Sequence, residues 1–307
     1  MTVSPHFRQI GIIGTGRVAA ALARGFAAHS VNPVCVLGRS QQRVAAFSNE
    51  ISGTGVVEDN AALLAQCDVI AIEVADDALA TVVAGLAQTK TSVRSAPFVF
   101  HVSGRSGVSI LAPLAVLGAE IAAIHPVMTF TGDGESEVRR MAGARFAVTS
   151  GSAVAKTMAD QIVRLLGGVP VEIAEQHRAL YHAGLSHAAN HLVTLLAGST
   201  RALAMAGVDD PAALLGPLVR AALENSLAHG FSALSGPLRR GDVQTIRQHL
   251  DALTRDCPEL LPAYRTMALG TLDELARSGA EPAPDLRAVL SDPPLAPDPL
   301  PRSRRSQ

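Results

Sequence analysis

The sequence predicts an α/β domain, a mostly parallel sheet covered by helices, followed by an all-α domain. Three observations carry this reading. Short apolar runs alternate with helical stretches from Ile10 to about Ile173. After Glu175 the pattern changes to helices with no strand candidates between them. The first apolar run leads straight into a glycine-rich turn that opens a helix. Strand–helix alternation buries a parallel sheet on both faces, and ligands then sit beyond the carboxyl ends of the strands.

The first run, Ile10–Ile13, reads as a buried strand and Gly14-Thr15-Gly16-Arg17-Val18-Ala19 as a GxGxxA turn, with an alanine-rich helix to about Ala28. Gly14 permits the tight turn, Gly16 lets a pyrophosphate approach the backbone, and Ala19 is small enough for close helix–strand packing. The free N–H groups and dipole of that helix start face the phosphates. This is the turn of a Rossmann-type dinucleotide site, and all six residues are candidate cofactor contacts.

The further strand candidates are Val34–Leu37, Asp68–Val74, Phe98–Val102, Ile121–Ile124, Phe146–Val148 and Val169–Ile173. Between them Gln41–Glu50, Asp59–Ala65, Asp77–Leu86 and Ser152–Leu166 read as helices. The domain is expected to span residues 1–174. Gln176–Ala206, Pro211–His229, Asp242–Thr254 and Pro258–Ser278 then read as helices of a second domain over 175–278, with Asp242 as an N-cap. Residues 279–307 are proline-rich and poor in apolar side chains, the composition of a disordered tail.

Composition narrows the function. The 307-residue chain has 17% charged residues and a net charge of −1, which offers no electrostatic case for nucleic acid or a membrane surface. No run of 18 or more apolar residues occurs, and the N-terminus lacks the apolar segment of a signal peptide. Cys35, Cys67 and Cys257 are scattered and odd in number, giving neither a disulfide framework nor a zinc pattern. A cytoplasmic protein is expected.

After the second strand, Gly38-Arg39-Ser40 stands where an NAD site usually carries an acidic residue for the ribose 2′-hydroxyl. Arg39 and Ser40, with Arg43 one turn on, suit a 2′-phosphate, so NADP(H) is expected over NAD(H). Val74 and Ala75 lie in the loop beside the cofactor, where Asp76 or Asp77 reads as the cap of the next helix. Two later strands lead into His101-Val102-Ser103-Gly104 and into His125-Pro126. A histidine there can exchange a proton with a carbonyl or hydroxyl as hydride moves, and His125 is the first candidate, with an ordinary pKa of about 6.5. Ser103 would hold the substrate.

The long helix after Glu175 carries His182, Ser186 and Asn190 at i, i+4, i+8, one polar stripe. His182 is the alternative acid, Asn190 a hydrogen-bonding partner of the reacting oxygen, and Ser186 a substrate contact. His187 and His191 are also four apart, but HAANH lacks the glutamate of the zinc-protease pattern, so no metal is expected. Arg240 sits between Gly236 and Gly241, either in a plain interhelical turn or reaching a substrate carboxylate.

These segments carry a resemblance. GTGRVA, VLGRS, the Asp68–Asp77 stretch, HVSG, LAPL, IHPVMTF, LYHAGLSHAAN and LSGPLRRGDVQTIRQHL resemble the family that joins a Rossmann-like domain to a helical domain named DUF2520. The resemblance implies a fold akin to 6-phosphogluconate dehydrogenase and an NADP-dependent oxidoreductase, without supplying a substrate. Ser103 and His125-Pro126 fall where prephenate dehydrogenases carry a serine and an HPM-type segment. Asn190 matches the asparagine of the KxxxN pair of hydroxyacid dehydrogenases and ketopantoate reductases, but the lysine position is Ser186, and no lysine follows Lys156.

The expectation is reduction or oxidation of a small polar keto or hydroxy acid, of ketopantoate type first. A prephenate-like or imine substrate comes second, and a non-catalytic NADP(H) sensor is the alternative of another class. The apolar helical domain and the habit of the fold family point to a homodimer.

Overall fold

A computed structural model of the chain describes residues 7–90 and 97–291. It forms two compact units, Met1–His187 and Ala188–Gln307.

The first unit opens with β1 (Ile10–Ile13), α1 (Arg17–Phe26), β2 (Val34–Leu37), α2 (Gln41–Glu50), β3 (Thr54–Val56), α3 (Asn60–Gln66), β4 (Val69–Ile72) and α4 (Asp76–Ala87). It continues with β5 (Phe98–His101), the short α5 (Ala112–Ala115), β6 (Glu120–Pro126), α6 (Gly134–Met141), β7 (Arg145–Ser150), α7 (Ala153–Leu165) and β8 (Val169–Glu172). The strands make one sheet in the order β3-β2-β1-β4-β5-β6-β7-β8. Every pair is parallel except β6 with β7. The order reverses between β1 and β4, which opens a crevice at the carboxyl edge between them.

Alternation along the strands builds the core. Ile10, Ile12, Val69, Ala71, Phe98 and Phe100 pack on the side covered by α1 and α7. Ile13, Ile70, Ile72 and Val99 pack on the other, against Leu63 of α3 and Leu79 and Val83 of α4. Side chains of Ser40, Asp59 and Ser152 accept backbone N–H groups at the starts of α2, α3 and α7. β3 is absent from the sequence expectation because Thr54-Gly55-Val56 is a three-residue edge strand with no apolar run.

α8 (Arg178–Met205) begins in the first unit and runs into the second. There follow α9 (Pro211–His229), α10 (Pro237–Arg240), α11 (Val243–Asp256), α12 (Leu261–Arg277) and α13 (Pro284–Ser291). The core of this unit is Ile246 and Leu250 of α11, Leu261, Leu272 and Leu275 of α12, and Leu286, Val289 and Leu290 of α13.

Two boundaries differ from expectation. The first unit extends to His187 rather than ending at 174, because the first turns of α8 are tied into the sheet. The stretch 279–307 is not wholly a tail. Its Leu286, Val289 and Leu290, spaced as one helix face, bury against α11 and α12. The rest of that segment, 292–307, lies outside the described residues.

Candidate functional site

The glycine-rich turn sits at the crevice. Gly14 has φ 132°, and its N–H donates to the Leu37 carbonyl at 2.8 Å. A Cβ there would run into the Glu73 carbonyl, so only glycine fits. At Gly16 a Cβ would meet nothing within 4 Å, so the floor is open. Gly16 is also the residue before α1, and no side chain caps that helix. Its first N–H groups are left to a ligand. Ala19 is fully buried and seats α1 on the sheet.

The other residues expected to contact the cofactor lie around this turn or at the starts of α2 and α4. Thr15 and Val18 are half-buried and Arg17 is exposed, its guanidinium donating to the Phe130 carbonyl at 3.4 Å. Arg39 and Arg43 are exposed, and Ser40 caps α2 by accepting the Arg43 N–H at 3.4 Å. Val74 is half-buried and Ala75 exposed before α4. Neither Asp76 nor Asp77 caps that helix. Asp76 instead accepts from Arg105 Nε at 2.9 Å, tying the β4 loop to the β5 loop. An open cradle of amide groups flanked by free arginines fits a phosphate-bearing dinucleotide.

A second cluster lies further along the same edge. His125, at the end of β6, places Nδ1 2.7 Å from the Tyr181 hydroxyl. The His125 and His182 rings lie edge-on with centroids 6.3 Å apart. Gly104 allows this: a Cβ there would stand 2.6 Å from His182 Cδ2 and 3.0 Å from His125 Nε2. Burial, the Arg178 charge and His182 lower the His125 pKa to about 4. His125 is therefore neutral near pH 7, which corrects the expectation of an ordinary histidine. Burial raises the Tyr181 pKa to about 12.

His101 is structural. Its Nδ1 accepts the Ser103 N–H at 3.1 Å, so Nε2 carries the hydrogen and donates to the Gly107 carbonyl at 2.9 Å. Burial first, then Arg178, lowers its pKa to about 4. Ser103 Oγ accepts the Ser106 N–H at 3.1 Å, which shapes the loop and leaves its hydroxyl hydrogen to donate.

The sequence reading missed the residues that hold this cluster. Arg178 is only 1% exposed. It donates from Nε to Thr149 Oγ1 at 2.8 Å and from a terminal nitrogen to the Ala123 and Ala147 carbonyls at 2.9 and 3.1 Å. It also donates to the Ser103 carbonyl at 3.3 Å. Its guanidinium lies 5.9 Å from the Tyr181 ring centroid. Glu175 accepts the Val108 and Ser109 N–H groups at 2.7 and 3.1 Å and so pins the same loop. Burial opposes its charge, but the bonds from Ser109 and Val108 outweigh this and hold its pKa below the ordinary value. The signal available beforehand was proximity: Glu175, Arg178 and Tyr181 directly precede His182.

Ser186 is half-buried one turn beyond His182 on α8. Asn190 and Arg240 belong to the second unit and are both exposed. The Asn190 carbonyl accepts the Thr194 hydroxyl at 3.3 Å. Arg240 ends α10, and Asp242 caps α11 by accepting the Thr245 N–H at 3.0 Å, so the turn reading of this stretch holds. Among the described residues no group of three or more metal-ligating side chains gathers. No described helix is long and apolar enough to cross a membrane.

Comparison with known proteins adds domain matches. The Rossmann-like domain matches residues 2–126, and the domain of unknown function DUF2520 matches 144–271. Comparison with curated proteins gives no match. Among solved structures, the fold is similar to a Bacteroides fragilis protein described as a candidate NADP oxidoreductase. That match has a TM-score of 0.70 and 18% identity over 88% of this chain and 100% of that one. A reductive aminase from Aspergillus terreus in complex with NADPH and ethyl-5-oxohexanoate matches with TM-score 0.65 and 14% identity over 92% and 98%. Pyrroline carboxylate reductase from Plasmodium falciparum with NADP bound matches with TM-score 0.59 and 14% identity over 94% and 100%. At these identities the likeness is one of fold. The chain thus carries a Rossmann-like domain followed by a DUF2520 domain.

Proposed function

We propose that the chain is an NADP(H)-dependent oxidoreductase acting on a small polar keto or hydroxy acid, with ketopantoate-type 2-oxo acids the first to try. The observation that carries this is the hydrogen-bonded His125–Tyr181 pair at 2.7 Å, on the same sheet edge as the open Gly14–Ala19 turn. The pyrophosphate rests on that turn, and Arg39, Ser40 and Arg43 take the 2′-phosphate. Val74 and Ala75 border the cofactor. The bound nicotinamide supplies or accepts the hydride.

The chain's own residues handle the proton. In one tautomer Tyr181 donates to His125 Nδ1 and the ring hydrogen is on Nε2, which faces the side-chain-free space at Gly104. In the other, Nδ1–H donates to Tyr181 and the phenol hydrogen points outward. Either way the pair presents one donor to the substrate oxygen without a charged imidazole, which its depressed pKa disfavours. Ser103 donates to the substrate carboxylate or oxygen, and His182 flanks the pair. Asn190 and Ser186 orient substrate from α8.

A second reading, reduction of an imine, is favoured by the reductive aminase and pyrroline carboxylate reductase among the similar folds. We also propose a homodimer. α9 has no buried residue and exposes Leu214, Leu218, Leu223 and Leu227, which a second copy would cover. A monomer in sedimentation at micromolar concentration would remove this.

The test is turnover of NADPH against a panel of 2-oxo acids and cyclic imines. His125→Asn and Tyr181→Phe should each lower kcat by roughly 10²–10⁴-fold while NADPH affinity stays near wild type, and the double variant should be little worse than either. Normal turnover in both would move the proton donor to His182. Tight NADPH binding with no turnover on any substrate would favour a sensor.

A further inference from the structure

Glu73 follows β4 directly and is used by nothing described so far. Among the described residues, it is the carboxylate with both oxygens buried and unpartnered. The residue is 7% exposed. Its N–H donates to the Ile13 carbonyl at 2.8 Å, which sets it beside Gly14. The missing Gly14 side chain would lie 3.5 Å from Glu73 Cβ. Val69 and Ala71 face the α1 side of the sheet, and Glu73 continues that alternation. It therefore sits on the side of the helix whose start forms the phosphate cradle.

Among the described residues no counter-charge meets it there. On α1, Arg17 is exposed and donates to Phe130, while Arg24 pairs with Glu50. By α6, Glu137 accepts the Thr131 and Gly132 N–H groups. His101 and His125 adjoin Phe100 and Ile124, which pack on the α1 side, so they alternate to the opposite face. Asp76 is taken by Arg105. Burial alone acts on the Glu73 carboxyl and raises its pKa to about 8.

We propose that Glu73 is a member of the dinucleotide site whose protonated form the anionic cofactor prefers, so that its ionisation weakens cofactor binding. The inference rests on the dinucleotide reading above. Adjacent parallel strands lie about 5 Å apart, so an ionised Glu73 would stand within roughly 10 Å of the pyrophosphate. In a poorly screened interior that repulsion is worth about tenfold or more in affinity. A neutral acid at the same place costs the cofactor nothing.

The experiment is fluorescence titration of the full chain with NADPH from pH 7 to 9.5, where the cofactor's own phosphate is already ionised. It is paired with calorimetry at pH 8 in two buffers of different ionisation enthalpy. Wild type should weaken about tenfold with a midpoint near pH 8 and take up a fraction of a proton on binding. Glu73→Gln should bind with a flat profile and no uptake, and Glu73→Met serves if the glutamine variant does not fold. A wild type that binds with no pH slope and no proton uptake overturns the inference, as does an unchanged slope in the variants. A wild type that fails to bind NADPH at pH 7 overturns the dinucleotide reading itself.

Discussion

The two ends of the sheet's carboxyl edge handle charge in opposite ways. At the Gly14 turn open backbone amides line the crevice, the arginines stay in water, and burial raises the pKa of the neighbouring Glu73 to about 8. At the His125 cluster the side chains do it, around a buried Arg178 that has carbonyl and hydroxyl acceptors within reach. A site made of backbone needs only the right local residues. A site made of buried side chains needs partners from β6, β7, the β5 loop and α8 to arrive together.

The largest expected contrast is in stability against pH. Glu73 has a folded pKa of about 8 against an ordinary 4.5, so its contribution is whole below about pH 4.5 and is lost as pH rises to 8. The size is on the order of 5 kcal/mol. His101 and His125 are depressed from 6.5 to about 4, so their contribution is present above pH 6.5 and is lost as pH falls to 4. Each is worth roughly 3 kcal/mol at most. Urea midpoints from pH 4.5 to 9 should therefore peak in between, and Glu73→Gln should remove the fall that runs from about pH 4.5 to 8, leaving a steeper acid limb and a flat alkaline one. A variant that parallels wild type from pH 5 to 8 would break the contrast.

Gly14→Ala should come next. It forces a side chain into a positive-φ position against the Glu73 carbonyl, at about 3 kcal/mol, and should abolish measurable NADPH binding. Binding within threefold of wild type would show that the turn is not the cradle. Arg39→Ala should be smallest, weakening NADPH about 10–100-fold and hardly touching NADH, since it removes one charge-assisted contact. Equal loss for both cofactors would end the NADP(H) preference.

This difference also explains what could be read beforehand. The Gly14 to Ala19 turn and the Asp242 cap are local patterns, and each stands where the sequence places it. His125 and Ser103 were visible as residues at strand ends. Arg178 was not, because an arginine in a first helical turn looks solvated, and its burial depends on carbonyls 31 and 55 residues away. The neutrality of His125 was hidden for the same reason. Asp76 looked like a cap because the competing Arg105 lies 29 residues on. The helix α13 was hidden differently: prolines around it outweighed the 286–289–290 face in composition.

Arg178 also decides where this chain can be cut. A fragment ending at 174, where composition changes, would leave the Ala123, Ala147 and Ser103 carbonyls without their guanidinium and the Val108 and Ser109 amides without Glu175. A fragment ending at 187 keeps them all. The DUF2520 match itself begins at 144, inside the sheet. The two named halves are thus not separable modules. Exchanging helical domains between relatives would have to carry the start of α8 with the sheet, and the modular unit of descent and of engineering is longer than the dinucleotide fold.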